Sequence, residues 1–152
     1  MKTFESVNAI LDFAIAREQE AYDFYTDLAG KMENKHISDM FNSIAQEEMG
    51  HKKKLQRIKE GTLLTPAPGK KIQDLKIGDY LVDMEPTGEM GYQDALILAM
   101  KKEKAAFKLY LDLSEQTGDE NIRDLFLSLA QEEAKHKLRF ELEYDENILT
   151  DF

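Results

Sequence analysis

Six polar residues carry the chemistry this sequence could do: Glu18, Glu48, His51, Glu103, Glu133 and His136. Glu48 and His51 are three residues apart, as are Glu133 and His136, so each pair shares one face of a helix. All six occupy positions where helical spacing places Ala, Leu, Ile, Phe and Tyr as neighbours, on what would be the buried seam of a bundle. Burying an isolated carboxylate costs several kcal/mol, about as much again for each that joins it unpaired, and four together repel. No Lys or Arg takes a matching seam position, which leaves protonation or metal ions to compensate. Four carboxylates balance two divalent ions, and imidazole binds metal neutral. The competing reading is a satisfied polar layer that only sets helix register.

The elements that must position these residues follow from an internal repeat. Shifting the 152-residue chain by 85 aligns Leu11–Lys52 with Leu96–Lys137 without a gap, and 17 of the 42 positions are identical. Ala14/Ala99, Glu18/Glu103, Ala21/Ala106, Tyr25/Tyr110, Leu28/Leu113, Ile37/Ile122 and Phe41/Phe126 all match, and Ala-Gln-Glu-Glu recurs at 45–48 and 130–133. Each unit reads as two amphipathic helices. One seam runs Phe4, Val7, Leu11, Ala14, Glu18, Ala21, Tyr25, Leu28, and the other Ile37, Phe41, Ile44, Glu48, His51, Leu55, Ile58. Gly30 with the polar run 33–36 breaks the first pair, and Thr117-Gly118-Asp119 breaks the second and offers an N-cap. Gly61 ends the second helix.

Residues of about 60–90 join the repeats and hold all three prolines, Pro66, Pro68 and Pro86, with a short helix expected near Ile72–Val82. A connection that long suits a crossover along the bundle, since helices of about 25 residues run about 37 Å. The expectation is one all-α domain over 1–152: a four-helix bundle of repeat one (about 3–60), the crossover, and repeat two (about 91–147). One Glu from each of two helices plus Glu-x-x-His from each of the other two is the ligand set of di-metal carboxylate bundles with ferritin-like topology.

Composition narrows the alternatives. The chain has no Cys, which excludes disulfides, thiolate metal sites and thiol nucleophiles. A net charge of −10 argues against nucleic acid as a partner. No run of 18 apolar residues argues for a membrane span, and the N-terminus lacks a signal-peptide pattern, so a soluble, cytoplasmic protein is expected.

Other polar residues divide between solvent and site. His36 falls in an expected loop, on the surface. Glu47 and Glu132 repeat but point off the seam, favouring solvent, with a contact behind the ligands as the other role. Glu20 reads as surface. Asp27/Asp112 and Asp39/Asp124 repeat, the latter pair in first helical turns where the dipole favours anions. Tyr25 and Tyr110 lie seven residues after a seam Glu, so they either pack the core or hydrogen-bond to a ligand carboxylate. Lys52-Lys53-Lys54 reads as solvated, and the seven Met scatter too widely for a sulfur site.

The chain resembles the rubrerythrin-type branch of the ferritin-like superfamily. The resemblance rests on Arg17 to Tyr25, Gln46 to His51, Lys102 to Tyr110 and Gln131 to His136, and spans nearly everything outside the crossover. It implies two iron ions held by Glu18, Glu48, His51, Glu103, Glu133 and His136, with Zn or Mn as possible substitutes. It also implies reduction of hydrogen peroxide, or reaction with dioxygen, by cycling between diferrous and diferric states. On that basis Glu48 and Glu133 take the bridging role, and Tyr25 matches a tyrosine kept near the iron. Two departures stand out. These 152 residues hold no Cys to ligate the iron of a rubredoxin-like domain, so electrons are expected from a separate donor such as a rubredoxin-like protein. The family's extra Glu, three residues after the third-helix ligand, is Ala106 here, which leaves a more symmetric six-ligand site. A homodimer is implied. The alternative functions are a ferroxidase or iron-handling protein, or a metal-stapled bundle without activity.

Overall fold

The computed structural model describes residues 6–61, 77–82 and 91–147. Four long helices carry the chain: α1 (Val7–Lys31), α2 (Lys35–Gly61), α3 (Tyr92–Gln116) and α4 (Glu120–Asn147). Three of the four starts are set by side chains that satisfy first-turn amides, whereas α3 follows Gly91 without a side-chain cap. Ser6 Oγ accepts from Ala9 N at 3.0 Å, Asn34 Oδ1 from Ile37 N at 3.2 Å, and Asp119 Oδ1 from Ile122 N at 3.1 Å. The Asn34 cap starts α2 at Lys35, so His36 stands in a first helical turn rather than in the expected loop. It is exposed, as expected. Asp39 lies one residue beyond that first turn, where it accepts from Lys35 at 2.8 Å. Asp124 takes the matching place in α4.

α1 packs along α2 and α3 along α4, and the packing within each pair is far more extensive than between pairs. Of the expected crossover helix, the described part is a 3-10 turn at Ile77–Tyr80 that lies against α3. Phe4 and the three prolines fall outside the described residues. None of the described helices is long and apolar enough to cross a membrane.

The apolar seams form two clusters. Ile10, Leu11, Ala14, Leu55, Ile58, Leu109, Leu113, Phe126 and Leu129 fill one end. Phe24, Tyr25, Leu28, Phe41, Ile44, Leu96, Leu98 and Phe140 fill the other, with Tyr25 stacked on Phe41 at a centroid distance of 6.1 Å. Each fully buried large side chain contributes about 1.5–3 kcal/mol. The six polar seam residues lie along the helices between these clusters, so the bundle is closed above and below them.

Candidate metal centre

All six side chains are buried. Glu133 has no exposed surface, and His136, the most exposed of them, retains 5%. They converge as two overlapping groups, Glu18–Glu48–His51–Glu133 and Glu48–Glu103–Glu133–His136, within each of which the ligand atoms lie within 4.8 Å of one another. Glu48 and Glu133 belong to both. The sequence repeat therefore becomes an approximate two-fold arrangement, with one Glu and one His on each side of a shared carboxylate pair.

The imidazoles present the same nitrogen to this centre. His51 Nδ1 is 2.8 Å from Glu133 Oε1, 3.4 Å from Glu48 Oε1 and 3.6 Å from Glu18 Oε1. His136 Nδ1 is 3.4 Å from Glu48 Oε1 and 3.5 Å from Glu103 Oε2. The rings lie nearly parallel, 14° apart, with centroids separated by 6.2 Å.

Their outer nitrogens are held by the opposite repeat. His51 Nε2 lies 2.5 Å from Glu132 Oε2, and His136 Nε2 lies 2.6 Å from Glu47 Oε2. A carboxylate at Nε2 fixes the tautomer that leaves the Nδ1 lone pair for a metal. Glu47 and Glu132 remain substantially exposed, so they meet solvent and also the ligand histidines. The favoured solvent-facing role is thus only half of their position. The repetition of both residues was the sequence signal for the other half.

The tyrosines also cross between repeats. Tyr25 donates to Glu103 Oε1 at 2.7 Å, and Tyr110 donates to Glu18 Oε1. Each is at once a packed core residue and a hydrogen-bond donor to a seam carboxylate, so both readings of these residues hold. Glu20 is exposed and accepts from Lys102 at 2.8 Å, and Lys52 donates to Gln19.

The electrostatics show what the centre lacks without metal. Glu18 is pushed up to about 8, by burial first and then by the charge of Glu48. Burial, followed by neighbouring carboxylates, also raises Glu103 and Glu133. Burial disfavours the charge of Glu48 too, but the facing imidazoles of His136 and His51 outweigh it and hold this carboxyl down at about 2. Burial works against protonating the histidines, yet Glu18 and Glu48 lift His51 to about 10, and Glu103 and Glu48 lift His136 to about 11. Protons are thus retained where divalent cations would supply the charge.

The donor set fits such cations. Glu18 Oε2, Glu48 Oε1, Glu103 Oε2, both Glu133 oxygens and both Nδ1 atoms are buried without hydrogen-bond partners. Buried polar atoms are rarely left so, and seven converging on one space are candidate ligand atoms for a metal. Carboxylate with imidazole suits Fe, Mn and Zn.

One side of the centre is open. A cavity of about 490 Å³ lies between α1 and α3 and reaches Glu18, Glu48, Glu103, Glu133 and Tyr110. Neither histidine nor Tyr25 lines it.

Comparison with known proteins agrees with this geometry. The Rubrerythrin family model matches residues 9–144. A hypothetical protein from Pyrococcus furiosus has a similar structure, with a TM-score of 0.74 and 28% identity over 93% of this chain and 89% of that one. A candidate ferritin-like diiron-carboxylate protein from Thermotoga maritima superposes with a TM-score of 0.77 at 18% identity, covering 97% of this chain and 99% of that one. At that identity the likeness shows the fold. No curated protein gives a significant match.

Proposed function

The chain belongs to the rubrerythrin family, and from that premise we propose that it is a non-haem di-iron oxidoreductase that reduces hydrogen peroxide with electrons from a separate donor. The observation that carries this reading is the cavity over the shared carboxylates. A bundle stapled by metal for stability alone would gain by packing that space with side chains.

Glu18 and His51 would hold one ion and Glu103 and His136 the other, with Glu48 and Glu133 shared. A ferrous pair bound there supplies the two electrons taken up when a peroxide O–O bond is cleaved. The rest falls to the protein. Glu47 and Glu132 keep the imidazoles in the tautomer that presents Nδ1 inward. The two apolar clusters exclude bulk water from the ends of the centre. Tyr110 holds a proton on its phenol oxygen beside Glu18, well above the ordinary tyrosine range because of burial and then the Glu18 charge. Because Tyr110 also lines the cavity, it is the tyrosine placed to pass a proton to a departing oxygen, while Tyr25 packs among Phe24, Phe41 and Phe140. A rubredoxin-like protein is a suitable donor to restore the reduced state, in a reducing compartment such as the cytoplasm.

The test is stopped-flow mixing of the anaerobic, Fe(II)-loaded protein with hydrogen peroxide. Two ferrous ions should be oxidised per peroxide. Binding of two irons without a response to peroxide would reject the activity and keep the site.

A further inference from the structure

We propose that the cavity between α1 and α3 binds the organic group of a neutral organic hydroperoxide and delivers its O–O bond to the carboxylate cluster. This deepens the peroxide-reduction reading and rests on it. Two metal ions at the carboxylates and a hydrogen peroxide do not fill the space. The two peroxide oxygens need about 60 Å³ at the roughly 30 Å³ that a water occupies, and an apolar cavity of about 150 Å³ already takes benzene. At about 490 Å³ the cavity lies within the range of small-molecule sites.

Its depth comes from two repeat-equivalent alanines. Ala21 and Ala106 each stand three residues after a seam Glu, on the same helical face, and both line the cavity. A methyl group at each leaves the path to Glu18 and Glu103 open. Phe24, Leu109 and Val82 continue the apolar wall away from the centre.

The charged groups in the lining point to a neutral ligand. Arg17 and Lys102 are both engaged by Glu20, at 3.4 and 2.8 Å. Asp27 pairs with Lys31 at 2.9 Å, and Asp23 accepts from Gln19 at 2.9 Å. Among the described residues, no cation in the lining is left to neutralise a ligand carboxylate, and Asp23, Asp27 and Glu20 would repel one. Arg17 Nε is buried without a hydrogen-bond partner, which leaves one donor for an uncharged oxygen.

In the reaction the O–O bond breaks and two O–H bonds form. Two ferrous ions held by the cluster would supply one electron each, and with two protons the hydroperoxide would leave as an alcohol and a water, the separate donor restoring the electrons.

The experiment titrates cumyl alcohol, the product of cumene hydroperoxide, into zinc-loaded protein while following the alanine methyl resonances by NMR. Saturable shifts should centre on Ala21 and Ala106. Affinity should fall at least tenfold in Ala106→Leu and Val82→Phe with both metals retained. In iron-loaded protein the same variants should lower the ratio of cumene hydroperoxide to hydrogen peroxide oxidation rates at least tenfold. Should Ala106→Leu fail to fold, Val82→Phe, outside the helices, decides. Absence of saturable shifts, or undiminished binding in the variants, overturns the site while hydrogen peroxide reactivity leaves the parent reading standing. Preference for a fatty-acid hydroperoxide carboxylate overturns the neutral class. Failure of both peroxides to oxidise the iron overturns the parent reading, and the hydroperoxide assignment with it, even if the alcohol binds.

Discussion

His136 Nε2 lies 2.6 Å from Glu47 Oε2, so a candidate ligand histidine of the second repeat is oriented by a carboxylate of the first. The mirrored contact joins His51 to Glu132. With Tyr25 reaching Glu103 and Tyr110 reaching Glu18, the contacts that hold the ligands run between repeats. The two helix pairs therefore meet through this centre as well as through the apolar clusters on either side of it.

Loss of these carboxylates should weaken metal binding without abolishing it. Glu47→Gln and Glu132→Gln should each lower metal affinity by about 10–100-fold, the usual effect of removing the partner of a ligand histidine. Competition against a chromogenic chelator measures this. Affinities unchanged within twofold would mean that these glutamates only face solvent.

Shared and unshared ligands should behave differently. Glu48 and Glu133 belong to both ligand groups, whereas Glu18 and Glu103 each belong to one. Glu133→Ala should therefore cost occupancy of both positions, and Glu18→Ala mainly of one, as read by metal analysis after gel filtration. Glu48→Ala and Glu133→Ala should also lose more metal than Glu47→Ala and Glu132→Ala, and equal occupancy in the two sets would refute the ligand assignment.

The six residues that converge were legible in the sequence, because a 3.6-residue period and an 85-residue repeat are properties of the chain alone. Glu18 and Glu48 stand out there as carboxylates on an apolar seam. Glu47 and Glu132 do not, because one residue along a helix turns about 100° away from the seam. Whether such a side chain reaches across depends on how closely α2 and α4 approach, which periodicity within a helix does not contain. α2 starts at Lys35, two residues earlier than the end of the polar run 33–36 would place it, since the Asn34 cap is a competition among several polar residues between α1 and α2. The cavity was not legible at all. It arises from the spacing of α1 and α3 and from where Tyr80, Leu81 and Val82 settle.

Removing the phenol hydroxyls should distinguish the two tyrosines. Tyr25→Phe and Tyr110→Phe each delete a buried hydrogen bond to a carboxyl group that burial keeps protonated without metal, and each should destabilise the metal-free protein at neutral pH by about 0.5–1.5 kcal/mol. Only Tyr110 lines the cavity, so Tyr110→Phe should slow oxidation of the Fe(II) protein by peroxide more than Tyr25→Phe does. Equal slowing would remove Tyr110 from proton delivery.

The stability that metal adds should grow with pH. Without metal, His51 and His136 are raised from 6.5 to about 10 and 11, so their contribution is complete below 6.5 and is lost as pH rises through those values. Glu18 is raised from 4.5 to about 8, so its contribution is complete below 4.5 and is lost as pH rises through 8. Glu48, lowered to about 2, contributes fully above 4.5 and loses its part only as pH falls toward 2. Between pH 7 and 10 the metal-free Tm should therefore fall. Metal binding displaces these protons and strengthens with pH, so the gap in Tm between loaded and metal-free protein should widen. Calorimetry in buffers of different ionisation enthalpy should show proton release on binding. A gap that narrows with rising pH would contradict the proton-for-metal exchange.

The most direct measurement is an anaerobic Fe(II) titration of the metal-free protein, with bound iron counted per chain in the wild type and in Glu133→Ala. The account predicts two irons per chain in the wild type, retained through gel filtration, and a loss at both positions in the variant. Wild-type protein that binds no iron, with an unchanged Tm on addition of Fe(II), would mean that the six buried residues form a protonated polar layer and not a metal centre.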